Sequence, residues 1–553
     1  MKEKKNDLLI VPIGGLEQIG ANCTMIGNNN EWIVVDLGIS FYDRLGIEVL
    51  TPDISFLEEQ QANIKGLFVT HAHEDHIGAI QYLWPYIKCP IYLTEFPKAV
   101  LEQKLQDYSW KDQVKINQVS PDEKIKLASF EVEFVSLSHS ILGACGLYIK
   151  TPSGKIFHTG DWKIDETPLL GDKVDEKRLT EIGKEGVDCL LCDSTNMLTE
   201  SQIGSEKTVR EALTRVISKC KNKRVTVTCF SSNLARIETI FNVAKKTKRR
   251  VGIIGRSMYK MLDAVAETSY YTTEFKNNVN SILTEEEAAS MPPEKVLLIC
   301  TGSQGESRSA LFRLARGENK VISLSEKDVV LFSSKVIPGN ELGIRDLQNL
   351  LIRKGVKIIT TDTEDDIHVS GHPNKATVSQ MYKWLKPKTL IPVHGEARML
   401  YEQRDLALKS GISEVFVAES GDFINYSNGE LKKVDHRDIT LNAIDGNDII
   451  PLNSSPLRER MTMSCNGHVS ISFIISSENR IMNSPEITVN GIAVEDESID
   501  KINSMIYQII SSEIVKNPDN IEKLKTDCEY SVRRFMMKNF DKKPLVVVHV
   551  HKV

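Results

Sequence analysis

The sequence predicts a multidomain α/β protein with its polar chemistry gathered on one rim of a β-sandwich, and three observations carry that reading. Strand-like and helix-like runs alternate between residues 225 and 332, the rhythm of a mostly parallel sheet. The histidines and aspartates able to bind metal each stand where a strand-like run ends. Finally, 553 residues exceed one ordinary core, so roughly three domains are expected.

Composition narrows the class further. A hydrophobic fraction of 41% with 26% charged residues is that of a globular protein. No apolar run approaches the ~20 residues that span a bilayer, so no membrane association is expected. Residues 1–7, Met-Lys-Glu-Lys-Lys-Asn-Asp, form no signal h-region, and the ten cysteines are scattered through apolar segments. Both features predict a cytoplasmic, reduced protein. The net charge of -6 gives no global signal for nucleic acid, leaving only local basic patches for such a role.

Residues 8–15 read as a strand closed by a tight turn. A hairpin joins 23–27 to 32–36 across Asn28-Asn29-Asn30. Asp36 ends that hairpin and is either a turn carboxylate or one that orients a metal-bound imidazole. The apolar run 64–69 reads as a buried strand, and Ile77 opens a helix. Between them lies Thr70-His71-Ala72-His73-Glu74-Asp75-His76. His71 and His73, two apart in extended chain, project to one side, while Asp75 and His76 fall in the turn and can face a second ion. Three imidazoles and a carboxylate this close supply the donors that Zn²⁺ or Mn²⁺ prefers.

A strand at 90–94 and a helix over 96–106 follow. The cleanly alternating strand 130–135 then leads to His139, and the strand beginning at 155 leads to Asp161. Cys189 and Cys192 lie on the strand 187–193, where a spacing of three turns them to opposite faces and excludes a shared metal. Ser231, Ser232 and Asn233 stand between a strand and a helix, where hydroxyls and an amide either seat a phosphate or cap the helix. Gly302-Ser303-Gln304-Gly305-Glu306 holds a similar position but is neither a P-loop nor a dinucleotide fingerprint. The basic runs 219–224 and 245–250 are expected at helix C-termini, facing solvent. His368 and His372 follow an acidic run, and His394 ends another strand.

Stretches 445–448 and 451–456 read as a linker. Beyond it come strands at 469–475 and 485–489, amphipathic helices at 498–514 and 521–539, and a last strand bearing His549 and His551. These two repeat the His-x-His spacing without a following Asp-His, which reads as edge decoration. The apolar helix faces suit subunit contact.

The order Asp36, His71-x-His73-x-Asp75-His76, His139, Asp161 resembles the metallo-β-lactamase superfamily, and Asp193, His368 and His394 resemble the signature of its β-CASP branch, whose members cut nucleic acids. Gly14-Gly15-Leu16-Glu17-Gln18-Ile19-Gly20-Ala21-Asn22, Thr301 to Glu306, Ile337-Pro338-Gly339-Asn340-Glu341 and His368-Val369-Ser370-Gly371-His372 further resemble the ribonuclease J family, over essentially the whole chain. The resemblance implies an α/β fold: an αββα metallo-β-lactamase sandwich (1–208 and 356–445), an inserted β-CASP α/β domain (209–355), a linker (446–460) and a small α+β oligomerisation domain (461–553).

It also implies two divalent ions per subunit, Zn²⁺ first, with Mn²⁺ or Mg²⁺ as alternatives. His71, His73 and His139 would hold one, Asp75, His76 and His394 the other, and Asp161 would bridge; His158 matches no ligand position. Asp75, Asp193 and His368 are the expected catalytic residues, with His368 hydrogen-bonded near Asp193 and protonating the leaving group. Ser231, Ser232, Asn233, Ser370, Gly371 and His372 would bind the RNA 5′-phosphate. The implied function is a 5′-to-3′ exoribonuclease preferring 5′-monophosphate RNA, with endonuclease capacity, in RNA maturation and decay. Its partners would be single-stranded RNA, a homodimer or homotetramer mate through the C-terminal domain, and a paralogous subunit. The rivals are a small-molecule metallohydrolase of lactamase or glyoxalase type, which leaves the insertion, His368 and His394 without a role, a DNA-directed β-CASP nuclease, and a non-catalytic scaffold subunit, against which the complete ligand set argues.

Overall fold

The computed structural model describes residues 8–200, 204–493, 496–518 and 520–553; residues 1–7, read above as forming no signal h-region, lie outside them. The chain forms two compact units, Met1–Phe41 with Thr51–Ile439, and Tyr42–Leu50 with Thr440–Val553. No described helix is long and apolar enough to cross a membrane.

The first unit is built on two facing sheets. One has eight strands in the order Glu430–His436, Asp422–Ser427, Leu8–Gly14, Cys23–Asn28, Glu31–Val35, Ile64–Phe68, Ile91–Leu93, Ile116–Gln118. The other has seven, in the order Glu414–Val415, Thr389–Val393, Cys189–Asp193, Gly154–His158, Cys145–Thr151, Phe130–Ser136, Lys124–Leu127. Leu8, Ile10, Ile33 and Phe68 of the first sheet share a buried cluster with Val132, Phe134, Leu147 and Ile391 of the second. Helices cover the outer faces: Phe56 packs edge-on against Trp32 and Phe423, and Leu179, Val378 and Met399 pack against Tyr148, Phe157 and Leu190. The hairpin after Cys23–Asn28 turns on Asn29 and Asn30, both left-handed (φ 53° and 62°), the conformation that matches strand twist.

Two details differ from the sequence reading. The alternating strand Phe130–Ser136 buries Glu133 as well as its apolar face, because Arg178 reaches over to pair with that carboxylate. Asp75 and His76 lie in a one-turn helix, Glu74–Ile77, and the longer helix Ile80–Ile87 starts after it. Cys189 and Cys192 do pack into different clusters on opposite faces.

A five-stranded, all-parallel sheet is inserted, ordered Arg250–Ile254, Val296–Cys300, Arg224–Thr228, Asp328–Phe332, Lys357–Ile359. Its edge strand runs past residue 355, where the insertion was expected to end. Lys219, Lys245 and Lys246 sit in last helical turns as anticipated. Arg249 does not face solvent: it is buried, donating to the carbonyls of Lys223, Val296 and Cys220.

In the second unit the stretch read as a linker is ordered. Asp445-Gly446-Asn447-Asp448 is the tip of a hairpin between Asn442–Asp445 and Asp448–Pro451. That hairpin extends a four-stranded sheet completed by Ile47–Thr51 and Ser40–Arg44. Pro456 lies in the first turn of the helix Ser455–Asn466, where a missing N–H costs nothing. A separate sheet, Glu486–Asn490, His468–Ile475, Leu545–Lys552, carries the helices Asp496–Lys516 and Ile521–Phe540, whose Ile506, Ile510, Val532 and Met536 bury against Ile471 and Val548. His549 and His551 are exposed on an edge strand.

Candidate metal centre

The histidine segment is fixed by backbone before any ligand is considered. Leu37 N–H donates to the His76 carbonyl (2.8 Å), Ile39 N–H to Glu74 (3.0 Å) and Asn22 N–H to Asp75 (3.0 Å). At Gly38 a Cβ would lie 1.7 Å from the Asp75 carbonyl oxygen, so this clamp requires glycine. His139 and Asp161 arrive from the ends of Phe130–Ser136 and Gly154–His158, and His394 from the end of Thr389–Val393, in a left-handed conformation (φ 54°).

Two donor sets contain the expected ligands; a third group of Asp161, Asp193, His372 and His394 overlaps them, and Glu419, Asp422 and His436 form a separate one. His73 Nδ1 lies 3.1 Å from His71 Nε2 and 3.0 Å from His139 Nε2, and Asp161 Oδ2 is 3.6 and 3.8 Å from the last two. Ligands ~2.0–2.1 Å from a tetrahedral ion are about 3.3–3.4 Å apart, so the spacing fits one ion. In the second set, His76 Nε2 is 3.6 Å from Asp75 Oδ2 and 3.3 Å from Asp161 Oδ2, and His394 Nε2 is 3.2 Å from Asp75 Oδ2. Asp161 Oδ2 faces both sets. His394 Nε2 is buried, and its 3.2 Å approach to Asp75 Oδ2 lacks hydrogen-bond alignment, as expected of two ligand atoms that face one ion. The donors therefore fit a pair of divalent cations.

Charge states divide the sets. Burial pushes His71 and His139 well below the usual imidazole range and His73 down to about 4, leaving neutral rings with free lone pairs. Burial acts the same way on His76 and His394, but the carboxylates outweigh it. Asp161, Asp75 and Asp36 hold His76 well above its ordinary value, and Asp161 with Asp75 and Asp193 raises His394 to about 10.

The ring nitrogens turned away from the donor sets are also held. His76 Nδ1 is 2.7 Å from Asp36 Oδ2, so Asp36 orients an imidazole of the site. Asp36 also accepts from Thr70 N–H (2.7 Å) and Thr70 Oγ1 (2.8 Å), and Thr70 Oγ1 lies 3.0 Å from His71 Nδ1. One carboxylate and one hydroxyl thus fix two rings with Nε2 facing inward. Thr70 was missed in the sequence, where a threonine before histidine carries no signal. His139 Nδ1 is 2.6 Å from the Gly371 carbonyl. His158 accepts from Gly160 N–H (3.0 Å) and joins neither set.

The catalytic pairing needs a correction. Asp193 Oδ2 is 2.9 Å from Nδ1 of His372, not of His368. His368 has Arg236, Lys163 and Lys335 around it, and its buried Nδ1 has no hydrogen-bond partner among the described residues; burial and then these cations keep it well below the usual imidazole range. The residue expected as proton donor is therefore not beside Asp193, and one assigned to the phosphate pocket is. Asp193 is further fixed by Thr195, whose N–H and Oγ1 donate to Oδ1 at 2.8 and 2.7 Å.

The remaining phosphate candidates lie in two loops, 231–233 and 370–371. Asn233 caps its helix, accepting from Arg236 N–H at 2.9 Å, and also lines a cavity beside His139 with Ser138, Lys163, Asp165 and Glu206. Ser231 and Ser232 are half-buried in the turn before that helix. Ser370 accepts from Asn196 Nδ2 (2.6 Å), and the Gly371 carbonyl is taken by His139.

Four family models match the chain: the metallo-beta-lactamase superfamily (residues 17–187), the ribonuclease J beta-CASP domain (222–351), the Zn-dependent metallo-hydrolase RNA specificity domain (363–418) and the ribonuclease J C-terminal domain (455–553). Ribonuclease J of Sinorhizobium meliloti is 36% identical, over 99% of this chain and 98% of its own. Ribonuclease J 1 of Streptococcus pyogenes is 32% identical over 98% and 97%. A crystal structure of a protein of unknown function from Enterococcus faecalis matches 76% of this chain and 100% of its own with a TM-score of 0.53 at 16% identity, a likeness of fold alone.

Proposed function

The chain belongs to the ribonuclease J family, and on that premise we propose that it is a 5′-to-3′ exoribonuclease preferring 5′-monophosphate single-stranded RNA, with endonuclease capacity. At the coarser level it is a metal-dependent ribonuclease of metallo-β-lactamase and β-CASP build. The observation that supports the metal-dependent nuclease reading is the convergence of seven side chains into two donor sets that share Asp161 Oδ2, while the 5′-to-3′ polarity and the monophosphate preference rest on the family.

In this reading His71, His73 and His139 hold one ion, Asp75, His76 and His394 the second, and Asp161 bridges. Zn²⁺ suits these N and O donors best, with Mn²⁺ or Mg²⁺ as alternatives. Bound divalent ions supply Lewis acidity toward a phosphoryl oxygen and acidify water at neutral pH. The chain's own residues do the rest. Asp75 orients the attacking water, and Asp36 with Thr70 keeps the His76 and His71 rings in register.

His372 replaces His368 as the proposed proton donor to the leaving oxygen. Burial alone would lower its proton affinity, but Asp193 and then Asp161 raise it above the ordinary value, so the ring holds a proton to give. Ser231, Ser232, Asn233, Ser370 and Gly371 are proposed to seat the terminal phosphate. A cytoplasmic role in RNA maturation and decay, and assembly through the C-terminal domain as a homodimer or homotetramer or with a paralogue, complete the proposal.

The test is turnover of one sequence as 5′-monophosphate RNA, 5′-triphosphate RNA and single-stranded DNA with defined metals. Monophosphate RNA should be shortened from its 5′ end, and the activity lost in EDTA and in Asp75→Ala. Equal turnover of the two RNAs overturns the terminal-phosphate pocket, and preference for DNA overturns the substrate assignment.

A further inference from the structure

Lys335 follows the inserted-sheet strand Asp328–Phe332, and its carbonyl is pinned by Gln304 Nε2 at 2.9 Å. Its Nζ lies 3.0 Å from Thr199 Oγ1 and 3.5 Å from Asn196 Oδ1. Among the described residues no carboxylate comes within ion-pairing distance of it, although its neighbours partly desolvate it. Partial burial accordingly lowers its proton affinity with no anion to offset the effect. A desolvated cation without a counter-charge is costly, and a ligand anion removes that cost.

The same carboxamide leads to a second unspent donor. Asn196 Nδ2 donates to Ser370 Oγ at 2.6 Å and to the His372 carbonyl at 3.0 Å. Ser370 Oγ also accepts from His372 N–H at 3.2 Å. A hydroxyl has two lone pairs and one proton. With both lone pairs taken, the Ser370 proton has no acceptor among the described residues. An ammonium and a hydroxyl donor are thus held on either side of one amide, at the loop that carries His372.

We propose that Lys335 is the counter-charge of the terminal 5′-phosphate of the RNA, acting beside the Ser370 already assigned to that pocket. The inference rests on the exonuclease reading above and deepens it. Ser231, Ser232, Asn233 and Gly371 carry no charge, whereas a terminal monophosphate is close to dianionic at neutral pH and an internal phosphodiester carries one charge. An ammonium therefore separates a 5′-phosphate from a 5′-hydroxyl end most strongly.

The experiment measures fluorescence anisotropy of the full-length, metal-loaded protein with 5′-monophosphate and 5′-hydroxyl RNAs of one sequence whose first linkages are cleavage-resistant phosphorothioates. Wild type should bind the monophosphate more tightly. Lys335→Gln should shrink that preference about tenfold, Ser370→Ala by a smaller factor, and Lys335→Arg should retain most of it. If Lys335→Gln weakens both RNAs equally, the lysine meets an internal phosphate and the proposal falls; it falls too if neither affinity moves. Equal binding of both RNAs by the wild type is a separate failure, that of the pocket itself.

Discussion

Asp193 Oδ2 lies 2.9 Å from His372 Nδ1, while His368, four residues earlier in the same loop, keeps its Nδ1 buried and unpaired among the described residues, after an Ile367 carbonyl that accepts from Ser333 Oγ. Two histidines of one short segment thus have different duties. His372→Ala should lower single-turnover RNA cleavage by about 10²–10⁴ with metal content unchanged, the range for loss of a positioned acid. His368→Ala should lower Tm and leave metal content intact, with a far smaller kinetic effect. Comparable rate losses from both variants at unchanged Tm would reverse the assignment.

Asp36 belongs to neither donor set and acts on both through the His76 and His71 rings. Removing it frees His76 Nδ1 and the Thr70 hydroxyl that backs His71. Asp36→Asn should weaken metal affinity by about 10–100-fold, more at the set containing His76, read by competition with a chelator of known affinity. Unchanged affinity would reduce Asp36 to a turn residue, the alternative its position at a strand end left open.

Why the donor sets were legible and the proton donor was not follows from where each signal resides. His71, His73, His139, Asp161 and His394 stand at strand ends, and a strand end on a sandwich rim fixes both position and direction. His368 and His372 lie instead in irregular chain. Which of them turns to Asp193 is set by the Ser333 Oγ bond to the Ile367 carbonyl (2.6 Å) and by Asn196 gripping Ser370, contacts 34 and 174 residues apart in sequence. The hairpin hidden in the apparent linker failed for a related reason: turn-forming residues mark a bend but do not say that its flanks will pair with Ile47–Thr51.

Gly371 allows the loop to close on the site. A Cβ there would lie 2.7 Å from His139 Cε1, and the Gly371 carbonyl already sits 2.6 Å from His139 Nδ1. The ring cannot yield without leaving its place beside His73 Nδ1, 3.0 Å away. Gly371→Ala should therefore weaken the three-histidine set, seen as loss of one Co²⁺ absorption component on titration. Two undisturbed Co²⁺ components would show that the loop moves instead of the ring.

The two donor sets should part company with pH. In the metal-free protein His71, His73 and His139 are neutral at pH 7, because burial has pushed all three down, His73 to about 4. An ion entering there displaces almost no protons. His76 and His394 are raised, His394 to about 10, so each carries a proton at pH 7 that an ion in the second set must expel. Lowering pH from neutrality then opposes the second ion, by about a hundredfold in affinity per unit for two protons, while the first set is indifferent until the range near 4 is reached. Native mass spectrometry in buffered Zn²⁺ between pH 8 and pH 5 should show occupancy falling from two ions to one, with Asp75→Ala holding a single ion throughout. Departure of both ions together, or of the three-histidine ion first, would contradict this division of charge.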